Sequence, residues 1–216
     1  MNDTVLVAGS HGPTGQHVTR LLAERDRTPR AMIRDDSQTE EMESLGGDPV
    51  VADLTEPDSL EPAVEGCDAI VFAAGSDGED VYGVDRDGAI NLIDAAEDAG
   101  VDRFVMLSSM GADDPESGPD PLWDYLIAKA EADEYLRQSD LSYTIVRPGE
   151  LTTADGTGEI RAADSLEMAD GDIPREDVAR VLVTAIDFDP VYGETVEILS
   201  GDESIESALE AVGTAE

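Results

Sequence analysis

Of the 13 lysines and arginines in this 216-residue chain, a single one, Lys129, is lysine; it stands four residues after Tyr125 in Tyr125-Leu126-Ile127-Ala128-Lys129. On a helix that spacing sets both side chains on one face, about 6 Å apart at Cβ. A phenol with an ordinary pKa near 10 is a poor proton donor at neutral pH until a neighbouring cation stabilises its phenolate. The pair suits hydride transfer to a carbonyl, in which the alkoxide that forms must be protonated. Tyr125 would supply that proton, Lys129 would tune the phenol and bind nicotinamide ribose, and a hydroxyl would polarise the carbonyl. Ser109, in Leu107-Ser108-Ser109-Met110-Gly111, is the candidate hydroxyl, with Ser108 as its alternative. The plain alternatives are a surface helix pair for Tyr125 and Lys129 and loop capping for the serines.

A second set of residues could hold the hydride carrier. Val7-Ala8-Gly9-Ser10-His11-Gly12-Pro13-Thr14-Gly15 closes an apolar run and opens a helical pattern. Gly9 permits a tight turn, Gly12 lets the backbone approach a pyrophosphate, and Gly15 allows close packing of the helix. Phosphates would then meet free N–H groups at the positive helix end. The expected cofactor-binding turn is therefore Gly9, Ser10, His11, Gly12, Pro13, Thr14 and Gly15. The second strand ends in Ala31-Met32-Ile33-Arg34, where a carboxylate would bind the ribose of NAD and an arginine the 2′-phosphate of NADP. Arg34 favours NADP over NAD. Asp35 and Asp36 follow at once, which leaves open a ribose contact from either acid or a simple ion pair with Arg34.

These residues need elements to position them. Apolar runs at 4–8, 29–34, 48–52, 68–73, 102–108, 142–147 and 194–199 read as strands. Helix-period segments alternate with them: 14–24, 84–99, 130–138 and 175–187. Pro57, Pro121 and Pro174 sit where first-turn prolines belong. The alternation predicts an α/β fold with a doubly wound, mostly parallel sheet of the Rossmann type, a single domain over 1–216. The stretch 149–171 lacks periodicity and follows a late strand, so it is expected either as a substrate-side loop or as a solvated excursion.

Composition narrows the partners. With 51 acidic residues the formal charge is −38, which would repel nucleic acid and anionic membrane alike. The acids are dispersed among regular apolar segments, as in a folded protein of an extreme halophile, where molar salt screens like charges to within about 3 Å. No basic leader or long apolar span is seen, so a soluble, cytoplasmic protein is expected. The lone Cys67 excludes an internal disulfide, and His11 and His17 alone cannot build a three-ligand zinc site, so no metal is expected. The expected partner is a small-molecule substrate, and nothing in the sequence specifies an oligomer.

Together these residues resemble the short-chain dehydrogenase/reductase superfamily, in its atypical branch of NmrA-like and flavin or biliverdin reductase-like proteins. The resemblance implies that Asp53 and Leu54 meet the adenine and that Ala73, Ala74 and Gly75 lie beside the cofactor ribose. It also implies that Pro148, in Val146-Arg147-Pro148-Gly149, borders the nicotinamide, and it maps the superfamily's Ser, Tyr and Lys onto Ser109, Tyr125 and Lys129. The implied activity is NADP-dependent reduction of a small carbonyl, quinone or flavin-like substrate; Trp123, Met110, Leu122 and Leu151 are candidate apolar walls for it, or else ordinary core residues. A non-catalytic redox sensor and a sugar epimerase or dehydratase are the alternatives the branch contains.

Overall fold

The computed structural model of the protein describes residues 3–76, 78–167 and 171–213. The first half forms β1 (Thr4–Ala8), α1 (Pro13–Glu24), β2 (Thr28–Ile33), α2 (Thr39–Ser44), β3 (Asp48–Val51), α3 (Glu61–Val64), β4 (Ala69–Phe72) and α4 (Gly88–Ala99). The second half forms β5 (Arg103–Leu107), α5 (Trp123–Gln138), β6 (Ser142–Pro148), β7 (Glu150–Thr152), β8 (Glu159–Ala163), β9 (Asp172–Pro174), α6 (Arg175–Ala185), β10 (Thr195–Ser200), β11 (Glu203–Ser204) and α7 (Ile205–Gly213). Among the described residues no helix is long and apolar enough to cross a membrane.

Nine strands share one sheet in the order β11-β8-β10-β6-β5-β4-β1-β2-β3. From β3 to β10 every pairing is parallel; β8 alone runs against β10 and β11. Strands buried on both faces must be apolar at successive residues, which is why they read as runs. In β1, Val5 and Val7 pack under α1 and α6, while Leu6 and Ala8 pack towards α3 and α4. The chain leaves β1 towards β2 and β3, then crosses back to β4 on the other side. That reversal opens a crevice at the carboxyl ends of β1 and β4, where an open α/β sheet takes its ligand.

Three expectations change. The stretch 149–171 is no plain loop: it contains β7, which pairs with β9, and β8, which extends the main sheet. Its turn at 156–158 is pinned to α6, because buried Asp177 accepts the N–H groups of Thr157 and Gly158 at 2.8 Å each. The helix expected over 84–99 starts as a wider π-type segment, Val81–Asp87, before α4 proper. The helix expected from 130 begins at Trp123, so Tyr125 lies in the first turn of α5.

Candidate functional site

The crevice is built on glycine. Gly9 leaves β1 with φ +82°, and a Cβ there would stand 2.6 Å from the Ala74 backbone beyond β4. A Cβ on Gly15 would lie 2.0 Å from the Gly9 carbonyl oxygen, so only glycine lets α1 start this close to the turn. Gly12 donates its N–H to that same carbonyl at 3.0 Å. Pro13 follows, and the N–H groups of Thr14 and Gly15, in the first turn, have no acceptor four residues back. No acid sits in this first turn, although the chain carries 51. The positive helix end thus faces the crevice uncompensated, a cradle fitted to phosphate.

From the turn, a cavity of about 370 Å³ runs over β2 and β3, lined by His11, Arg34, Gln38, Asp53 and Leu54 among others. Arg34 is exposed and, among the described residues, pairs with neither Asp35 nor Asp36. The Asp35 carboxylate accepts the Ser37 N–H at 2.8 Å instead, and the Ser37 side chain together with this N–H holds its pKa below the ordinary value. His11 is engaged by Glu41 at 2.9 Å. Asp53 accepts both the N–H and the hydroxyl of Thr55 at 2.8 Å. Ser10 departs from expectation: fully buried, its hydroxyl donates to the Met32 carbonyl at 2.7 Å, so it staples the turn to β2 and does not face the cavity.

A second cavity, about 540 Å³, shares Gly12, Ala73, Ala74 and Gly75 with the first and continues to Ser108, Tyr125 and Lys129. A ligand-sized space therefore joins the glycine turn to Tyr125 and Lys129. Lys129 is buried; its ammonium donates to the Leu107 carbonyl at 2.9 Å and lies 5.8 Å from the centre of the Tyr125 ring. The serine assignment changes. Ser109 lines a third cavity with Met110, Leu122 and Pro148, and its hydroxyl bonds the Met110 carbonyl at 3.2 Å, while Ser108 lines the cavity with Tyr125. Pro148 likewise borders this third cavity and neither of the two described before it. Of the expected walls, Met110 lines the third cavity, Leu151 the second and Leu122 both, whereas Trp123 stands 49% exposed to solvent.

Behind Lys129 lies a charge cluster that the sequence analysis missed. Asp85, buried, stands 3.8 Å from the Lys129 ammonium; one of its oxygens accepts the Ser76 N–H and hydroxyl, and the other has no hydrogen bond among the described residues. Asp133, fully buried, accepts from the Ser108 hydroxyl at 2.8 Å and from Arg147 at 3.0 and 3.1 Å, all through one oxygen. Burial pushes the Asp133 carboxyl above the usual carboxylate range, and the Arg147 guanidinium pulls it back. Two basic and two acidic side chains thus face one another inside an apolar core, where each would be costly to bury alone. Asp133 continues the four-residue spacing of Tyr125 and Lys129, a signal that could have found it.

Sequence comparison accords with this geometry. The profile of a family described as NAD(P)H-binding matches residues 9–189. The chain is 38% identical to a sugar epimerase of Bacillus subtilis (strain 168), YhfK, itself uncharacterized, over 95% of this chain and 98% of that one. It is 29% identical to the sanguinarine reductase of Eschscholzia californica over 95% and 92% of the two chains. A solved structure of a candidate NAD-dependent epimerase/dehydratase from Bacillus halodurans superposes with a TM-score of 0.93 at 36% identity, covering 98% of this chain and 100% of that one.

Proposed function

The chain belongs to this NAD(P)H-binding family, and on that premise we propose that it is an NADP-dependent oxidoreductase reducing a small carbonyl, quinone or flavin-like substrate. The observation that carries the proposal is the continuity of cavity from Gly12 to Tyr125 and Lys129. Bound NADPH supplies hydride. The turn at Gly12 to Gly15 holds phosphate, and Arg34 takes the 2′-phosphate. Lys129, fixed by the Leu107 carbonyl, keeps an ammonium beside the phenol and turns its remaining N–H groups to ribose. Tyr125 gives its hydroxyl proton to the oxygen of the reduced carbonyl. The O–H of Ser108 is committed to Asp133, so Ser108 presents lone pairs rather than a proton to the cavity. Polarising the carbonyl then falls to the Tyr125 O–H itself.

Kinship with a reductase supports this reading. The relative named as a sugar epimerase favours a second one, in which a tightly held cofactor removes and returns the same hydride. A panel of carbonyls and quinones assayed with NADPH in molar KCl decides between them. The proposal expects net NADPH oxidation that falls by about 10²–10⁴-fold in Tyr125→Phe while NADPH affinity is kept. Turnover untouched by loss of the phenol would defeat it; nucleotide that co-purifies with the protein and no net oxidation would point to the epimerase.

A further inference from the structure

Arg175 opens α6, an 11-residue helix, and lines the same cavity as Gly12, Pro13, Thr14, Tyr125 and Lys129. Its guanidinium has one bond among the described residues, to the Leu151 carbonyl at 3.2 Å, and no carboxylate partner there. Arg30 and Arg103 also bond backbone carbonyls with no carboxylate partner among the described residues, but neither lines this cavity. Arg27, Arg86, Arg137, Arg147 and Arg180 each hold a carboxylate, as acids outnumber bases 51 to 13. The two acids that follow Arg175 are spoken for: Glu176 and Asp177 both accept from Arg180 and from the turn at 156–158. The second cavity, which Asp85 and Asp124 also line, thus contains a planar fork of N–H donors with no carboxylate partner among the described residues.

We propose that Arg175 binds an oxyanion in this cavity: a phosphate oxygen on the nicotinamide side of the cofactor, or a carboxylate on the substrate. This rests on the dinucleotide reading above. α6 packs along α1, the helix that carries the glycine turn, so an anion seated at that turn meets Arg175 from the neighbouring helix.

The test compares wild type with Arg175→Gln in molar KCl, with Arg175→Lys as a milder variant should Gln impair folding. NADPH and 2′,5′-ADP, which lacks the nicotinamide-side phosphate, are titrated by fluorescence; benzoate is then titrated into the NADP-loaded protein. If the cofactor is the source, Arg175→Gln weakens NADPH by about tenfold or more and leaves 2′,5′-ADP within twofold, with Arg175→Lys in between. If the substrate is the source, both nucleotides bind as before and benzoate binding is lost. All three ligands unchanged would overturn the proposal, and so would NADPH and 2′,5′-ADP weakened by the same factor, which marks a damaged turn. A wild type that binds neither nucleotide removes the dinucleotide reading itself, and this proposal with it.

Discussion

Replacing Arg147 by methionine removes the cation hydrogen-bonded to Asp133 and leaves a carboxylate at 0% exposure whose remaining hydrogen bond, among the described residues, is from the Ser108 hydroxyl. Breaking a buried pair from one side costs about 3–5 kcal/mol, because the survivor keeps its desolvation penalty without its partner. The other ion pair of Arg147, with Asp113 at 3.5 Å, involves a carboxylate 59% exposed and adds less than about 1 kcal/mol. For a 216-residue chain a loss of that size lowers the melting temperature by about 6–20 °C. The penalty depends on pH. Burial raises the Asp133 pKa above its unfolded value, so folding favours the protonated form. The ionised, unpaired group then costs most at neutral pH, and the cost is relieved as acid protonates it. Arg147→Met should therefore lose more stability at pH 8 than at pH 5. The double variant Asp133→Leu, Arg147→Met, with no charge left to strand, should be more stable than Arg147→Met alone, giving a coupling of about 3 kcal/mol. Urea unfolding in molar KCl, followed by circular dichroism, measures all of these. A single variant within about 1 kcal/mol of wild type, or a double variant equal to the sum of the singles, would refute the reasoning.

Other expectations follow from single contacts. Gly15→Ala drives a methyl to 2.0 Å from the Gly9 carbonyl oxygen, so it should lower stability by about 1–3 kcal/mol and weaken NADPH; a variant that binds as wild type would contradict the packing of the turn. With a formal charge of −38, the melting temperature should climb as KCl rises from low to molar concentration, and a flat dependence would sink the proposal that the protein belongs to a salt-rich cytoplasm. Burial pushes the Cys67 thiol above its ordinary pKa, so iodoacetamide at pH 8 should alkylate the native protein at least about tenfold more slowly than the urea-unfolded chain. Equal rates would show the thiol to be accessible.

Much of the fold was legible because its central strands are buried on both faces and so write themselves as apolar runs. β8 was not. Of Glu159-Ile160-Arg161-Ala162-Ala163 only Ile160 is buried, and a late antiparallel strand with one buried side chain leaves no run to read. The serine assignment turned on strand parity. Phe104 and Met106 face α4 and α5, Val105 and Leu107 the opposite side. The chain continues in register beyond β5, with Ser108 N–H bonded to the Val146 carbonyl at 2.8 Å. Ser108 thus shares the face of Lys129, and Ser109 points away. The burial of the Ser10 hydroxyl was not legible for a related reason, since glycine spacing specifies the path of a turn but not which of its side chains points inward. Asp85 lies in a helical turn wound wider than the α-helix, where a 3.6-residue period places side chains on the wrong face.

In the function proposed above, one crevice holds a whole dinucleotide, with the 2′-phosphate at Arg34 and the nicotinamide beside Tyr125. Titration of NADPH and NADH into wild type and Arg34→Ala in molar KCl tests it most directly. Saturable binding at one site per chain is expected, with NADPH tighter than NADH by about tenfold or more and a preference that collapses in Arg34→Ala while NADH affinity holds. Saturable binding of neither nucleotide, or a preference for NADPH that survives the loss of Arg34, would contradict it.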